Sequence, residues 1–252
     1  MSAGARATAL GFLAILSWAL LALLTVVSGA VPPFQLAALC FAIGAAAGFA
    51  DMARRGAGIG RAMAQPGRVW LLGVGGIFGY HFLYFTALRN APPAQAGLIA
   101  YLWPLLIVVF SGLLPGQRLR AGHVAGALLA FGGAALLLAP QAASLSPAHG
   151  VGYLAASACA LVWSGYSVLS RVVGTAPTDT VAGFCLVSAA LAVLCHLALE
   201  TTHWPQDAVQ WLAVLALGET VPGCPWGEAG FCISRISRMT WSSPGPSISS
   251  MA

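Results

Sequence analysis

The chain predicts an all-α integral membrane protein carrying an inverted internal repeat. Three observations predict it: long apolar runs without charge, arginines concentrated in alternate loops, and a tryptophan–proline pattern that recurs at one offset. The 252 residues are 59% hydrophobic and 7% charged, with a mean hydropathy of +0.87, whereas a soluble domain carries roughly 25% charged residues. Thr8–Ala50, Val69–Leu88 and Ala121–Ser170 contain no Asp, Glu, Lys or Arg. Runs that are continuously apolar, rather than alternating, read as membrane helices and not as barrel strands.

Span one covers about 8–28, and Pro32-Pro33 breaks it from span two, about 34–50. A polar loop from Asp51 to Arg68 leads to span three, about 69–88. Arg89-Asn90-Ala91-Pro92-Pro93 is a short turn whose prolines suit the first helical turn of span four. Span four covers about 94–114, span five about 121–139 and span six about 150–173. Span seven covers about 180–199, and an acidic loop from Glu200 to Asp207 leads into span eight at Ala208. Span one resembles a signal peptide with Arg6 as its basic flank. Its apolar run is too long for that role, and it reads as a retained helix.

The chain has no Lys, and its net charge of +5 comes from Arg. With the N-terminus in the cytoplasm, the inner loops hold Arg6, Arg54, Arg55, Arg61, Arg68, Arg118, Arg120 and Arg171, and the outer loops hold only Arg89. That bias sets the N-terminus inside. The arginines form no basic patch interleaved with aromatics, so nucleic acid is not an expected partner; the expected partner surface is the lipid bilayer.

Trp18 and Pro32 are followed, 145 residues on, by Trp163 and Pro177, and Trp70-Leu71 is echoed by Trp211-Leu212. The repeat holds five spans, so its second copy enters the membrane upside down. Inverted repeats are a hallmark of secondary transporters, which bind substrate between the halves at the midplane. The expected organisation is a first repeat over 1–145, an incomplete second repeat over 146–218 and an atypical tail over 219–252. About seven and a half helices are present, each needing about 20 residues to span. The tail contains no Leu and is rich in Ser, Pro and Gly. It is read as the product of a frameshift or truncation, with a disordered C-terminal tail as the alternative.

Depth singles out Gly79–Gln117. Tyr80, His81, Tyr101, Trp103 and Pro104 fall near the middle of their spans, where Tyr and Trp are unusual and polar groups are costly unless they face protein or a wet cavity. Tyr80 and Tyr84 share a helix face, with His81 one residue round. Pro104 frees a backbone carbonyl near the span centre, beside Trp103, and Gln95 lies on the same stripe as Trp103. Trp163 and Trp18 are repeat mates, and Tyr166 lies one turn beyond Trp163. The expected substrate-binding residues are therefore Tyr80, His81, Tyr84, Gln95, Trp103, Trp163, Trp18 and Tyr166, with Tyr101 read as packing. Each has a structural alternative in interhelical packing.

No spacing of His123, His149, His196 and His203 suits a metal or haem, and no CxxC occurs among six cysteines. No metal or cofactor is expected. The glycine pairs Gly44/Gly48, Gly75/Gly79 and Gly122/Gly126 read as close helix contacts rather than phosphate loops.

Three segments carry a family resemblance. They are the pattern around Trp18, the run Phe85-Thr86-Ala87-Leu88 with Ala94 through Leu106 (the core AYLWPLL and the lead-in GYHFLYFTAL), and Gly116-Gln117-Arg118-Leu119-Arg120 with Gly126. Over about 8–218 the chain resembles the EamA-type branch of the drug/metabolite transporter superfamily, most of all its bacterial aromatic amino acid exporters. The resemblance implies a ten-helix fold of two inverted five-helix repeats around a central cavity. It also implies alternating-access export of aromatic and other neutral amino acids, or similar small amphipathic metabolites, across the bacterial inner membrane. The chain departs from the family pattern at Gln117, where Glu is frequent, and in its last helices. An enzyme is not expected, because Asp51, Asp179, Glu200 and Asp207 lie at span ends or in loops and no nucleophile–base pair stands out. The alternatives are an inert truncated relative that inserts without transporting, and an intramembrane enzyme. The absence of an in-span acid favours facilitated or exchange-type export rather than tight proton coupling, though His81 is able to titrate.

Overall fold

The computed structural model describes residues 20, 23–114, 121–142, 146–170, 172–173, 177 and 179–219. Trp18, most of span one, Gln117, Arg118, Arg120, Arg171 and the tail beyond 219 lie outside the described residues. The described residues are helical, with no strand among them. After the end of span one at residues 23–27, the helices are α1 (Pro33–Arg54), α2 (Ile59–Met63), α3 (Gly67–Asn90), α4 (Pro93–Ala100), α5 (Trp103–Gly112) and α6 (Ala121–Ala142). A 3-10 turn (Pro147–His149) then leads to α7 (Gly150–Leu169), α8 (Thr180–Leu199) and α9 (Ala208–Glu219). Five stretches are long and apolar enough to cross a membrane: α1, α3, α4–α5 together, the turn with α7, and α8.

Local chemistry sets the helix ends. Proline occupies the first turn of α1, α4 and α5, where no intrahelical N–H partner is lost. The far end of α1 closes on Gly56, at φ 62°. The Gly56 N–H reaches the Ala53 carbonyl and the Ala57 N–H reaches that of Met52. This is a Schellman cap, and the left-handed conformation it needs favours glycine. It carries α1 past the apolar run to include Asp51 and Arg54. The short helix α2 in that loop has no counterpart among the expected spans.

Span four, expected as one helix, is interrupted. Pro104 has no N–H and its ring crowds the carbonyl four residues back, so α4 ends at Ala100 and the α-helical ladder closes with the Tyr101 N–H on Gly97 at 2.8 Å. The Leu102 N–H turns instead to Ile99, three residues back, at 3.1 Å. The ladder resumes when the Leu106 N–H reaches Leu102 at 3.0 Å.

Packing pairs α1 with α8 and α3 with α7, both antiparallel, while α9 runs alongside α1 and α3 alongside α8. The α1–α8 seam is filled by Ala37, Ala38, Phe41 and Ala45 against Val181, Cys185, Ala189 and Ala192. Small side chains let membrane helices approach closely. The glycines that matter are not all the expected ones. A Cβ at Gly76 would overlap the Tyr166 ring, and one at Gly73 would overlap the Phe184 ring. Gly75, Gly122 and Gly126 have nothing within 4 Å and Gly79 has only an ordinary contact. Of the expected pairs, Gly44/Gly48 is buried. Leu128, Leu129, Leu136, Leu186, Leu194 and Leu197 face outward, as suits a lipid-facing surface.

The two ends of the α1–α8 pair are tied by charge. At one end Arg55 donates to Asp51 at 2.7 Å and to Asp179 at 2.6 Å. Those two hydrogen bonds, Asp179 first, push the guanidinium further toward its charged form. At the other end Glu200 lies against the first turn of α1 and pairs with Arg89 at 2.7 Å.

Candidate functional site

Helix α3 presents Tyr80, His81 and Tyr84 on adjoining faces near its middle. The Tyr80 and Tyr84 rings stack at 4° with centroids 5.9 Å apart, the result of their i, i+4 spacing. Helix α7 brings Trp163 to 5.0 Å from Tyr80, and Tyr166 to 5.7 Å from Trp163. Tyr166 lies so close to α3 because Gly76 offers no side chain there. The result is a continuous aromatic surface, Tyr84–Tyr80–Trp163–Tyr166, drawn from two helices. All four side chains are only partly buried.

His81 sits at the edge of this surface, edge-on to Phe41 at 5.0 Å and to Tyr80 at 5.2 Å. Its Nδ1 is 2.8 Å from the Ile77 carbonyl. A carbonyl only accepts, so Nδ1 carries the proton, and in the neutral ring Nε2 is left as an acceptor. An ammonium group is a fitting donor to it.

Trp103 opens α5 just past the interruption. Ser164, fully buried on α7, has its Oγ 3.0 Å from the Trp103 carbonyl and 2.6 Å from the Ala160 carbonyl. One hydroxyl proton serves one of these at a time. Cys159, one turn earlier, reaches the Tyr80 carbonyl at 3.7 Å. Helix α7 is thus tied by side chain to both α3 and α5. Trp163 stands beside the Ser164 that makes the second tie.

Gln95 has different surroundings. It is buried, and its Oε1 accepts from the Tyr153 hydroxyl at 2.5 Å, while Tyr153 also accepts from the Ser146 N–H. The helical stripe that joined Gln95 to Trp103 in sequence is interrupted at Tyr101–Leu102. Tyr101, read as packing, is 51% exposed. Ser164 and Gly76 are what sequence reasoning missed; both are small residues on the buried faces of α7 and α3. Among the described residues no three His, Cys, Asp or Glu side chains gather as a metal site would need.

Residues 5–139 match the model of the EamA-like transporter family. The chain belongs to that family. A relative named aromatic amino acid exporter YddG, from Ancylobacter novellus, is 56% identical over 214 residues, which are 84% of this chain and 74% of the relative. A solved crystal structure matches with a TM-score of 0.83 at 52% identity, covering 92% of this chain and 80% of its own. As an EamA-like protein the chain is a multi-pass membrane protein of a transporter family, and the interrupted α4–α5 segment suits that. Discontinuous helices near the membrane centre are where transporters expose backbone groups to cargo.

Proposed function

We propose that the protein is an exporter of aromatic and other neutral amino acids, working by alternating access in the bacterial inner membrane with its N-terminus in the cytoplasm. The observation that carries this reading is the half-buried aromatic surface of Tyr84, Tyr80, Trp163 and Tyr166, with His81 at its edge. An indole or phenyl side chain stacks on such a surface in offset or edge-to-face geometry. The free Nε2 of His81 accepts from the amino group, and the helix interruption beside Trp103 supplies further polar partners. The match to an aromatic amino acid exporter supports the cargo class.

The cargo is held by shape and stacking rather than by a fixed charge, because no Asp, Glu, Lys or Arg lies within the middle of the described spans. That favours facilitated or exchange-type movement. Trp18, the repeat mate of Trp163, completes the site in this proposal, with Gln95 on its flank. The test is counterflow of labelled L-tryptophan, L-phenylalanine and L-lysine in proteoliposomes. Tryptophan and phenylalanine exchange, with lysine excluded, is the expected result. Equal uptake of all three, or of none, overturns it.

A further inference from the structure

Among the described residues, the most heavily bonded side chain is a carboxylate outside the candidate site. Glu200 ends α8 and its side chain is 1% exposed. Oε1 accepts from the Phe34 N–H at 3.1 Å and from Arg89 Nη2 at 2.7 Å. Oε2 accepts from the Phe34 and Gln35 N–H groups, each at 3.1 Å, and lies 2.9 Å from His196 Nδ1. Three elements meet on this one side chain: the N-terminus of α1, the C-terminus of α3 through Arg89, and α8 itself. The free N–H groups and dipole of α1 favour a negative charge there. His196 is held in turn by Thr202 Oγ1 at 2.9 Å. The Arg89 guanidinium also lies over the Phe34 ring, at 5.4 Å.

These bonds differ in kind. Those to α1 and His196 are internal to the closely packed α1–α8 pair. The bond to Arg89 reaches across to α3, the helix that carries Tyr80, His81 and Tyr84. Arg89 is 37% exposed, so this bond alone joins the buried carboxylate to a partner that solvent reaches. We propose that Arg89 is a positioning residue for transport: through Glu200 it sets α3 in register against α1–α8, and so fixes Tyr80 and Tyr84 opposite Trp163 on α7. This rests on the exporter reading for its consequence, but not for its geometry.

The geometry is tested first. A Cβ at Gly79 would lie 3.8 Å from Val162 Cγ1, across the α3–α7 seam. In the full-length Gly79→Cys, Val162→Cys protein, disulfide formation under mild oxidation is followed by peptide mass mapping. Adding Arg89→Gln is expected to slow it at least about threefold, and Arg89→Lys to restore most of the rate, since a lysine keeps the charge. An unchanged rate in Arg89→Gln overturns the proposal whether or not the protein transports tryptophan.

Tryptophan counterflow then reads the consequence. Arg89→Gln is expected to raise the KM about fivefold with the maximal rate within about twofold, a loss of binding rather than of turnover. Glu200→Gln combined with Arg89→Gln is expected to add little beyond the larger single effect, because both break one contact. Additive effects, or a KM within about twofold of wild type in Arg89→Gln, overturn it. If wild-type protein moves no tryptophan, the exporter reading fails, and the cross-linking rates still decide the positioning role.

Discussion

At the residue scale, Trp163 has two aromatic neighbours among the described residues, Tyr80 and Tyr166, and truncating it breaks both contacts. Aromatic pairs are worth about 0.5–1.5 kcal/mol each beyond their buried area. Trp163→Ala is therefore expected to raise the KM for tryptophan by about tenfold, and Trp163→Phe by about threefold, in the counterflow assay. Equal effects of the two would mean that the indole itself is required and that an aromatic face alone does not serve. Gly76 sets a stricter condition. An added methyl collides with the Tyr166 ring at Cγ and comes within 2.8 Å of its Cβ. The obstacle is therefore the root of the side chain and not its flexible end. Gly76→Ala is expected to cost about 1–3 kcal/mol of overpacking, seen as a lowered Tm in detergent. Gly75→Ala, with nothing within 4 Å, is expected to leave Tm unchanged. The stacking of Tyr80 on Tyr84 was legible in the sequence because it depends on helix periodicity alone. The seating of Tyr166 was not, since nothing in the spacing of Gly73, Gly75, Gly76 and Gly79 marks which one faces another helix. Arg89 and Glu200, 111 residues apart, likewise leave no local trace of their pairing. In sequence Arg89 was the one arginine on the wrong side.

At the scale of elements, the apolar runs gave most helices to within a few residues, and the departures have identifiable chemistry. Helix α1 outlasts its apolar run because Gly56 caps it, and span four divides because Pro104 removes one hydrogen bond from its centre. Proline's effect was foreseen at the freed carbonyl but not as a break. Periodicity treats 94–114 as one surface, whereas the structure interrupts the stripe between Gln95 and Trp103 at Tyr101–Leu102. The interruption makes a paired prediction. Pro104→Ala restores the missing N–H and is expected to raise Tm or leave it unchanged while reducing transport, because a continuous helix has no spare backbone groups to offer a cargo. Ser164→Ala removes the tie between α7 and the Trp103 carbonyl. Hydrogen bonds between membrane helices average about 0.6 kcal/mol, so it is expected to lower Tm only slightly, with transport falling more than stability. If Pro104→Ala transports at the wild-type rate, the interruption is structural and not functional.

At the scale of the whole molecule, the polar ties at the two ends of α1 and α8 share the offset found between Trp18 and Trp163. Arg55 and Glu200 stand 145 residues apart, the same offset as Trp18 and Trp163, and each follows the last residue of its helix. Each reaches the opening of the other helix: Arg55 to Asp179 before α8, and Glu200 to the N–H groups of Phe34 and Gln35 in α1. Phe34 and Asp179 are again 145 apart, as are the buried Cys40 and Cys185. The positions are symmetric while the charges are reversed, and the surroundings differ more still. Arg55 is half exposed, in salt-screened water, where such a pair contributes little. Glu200 is sealed from water with all its donors in place, and removing one partner of a buried pair typically costs about 3–5 kcal/mol. Arg55→Ala is therefore expected to shift Tm by no more than the scatter of the measurement. Glu200→Ala is expected to lower it by several degrees, because it strands two N–H groups of α1, the Arg89 guanidinium and the His196 Nδ1–H together. Glu200→Gln, which keeps an acceptor for α1 but no charge for Arg89, should fall between them. Equal shifts for Arg55→Ala and Glu200→Ala would mean that the seam of small residues, and not its polar ends, holds α1 and α8 together.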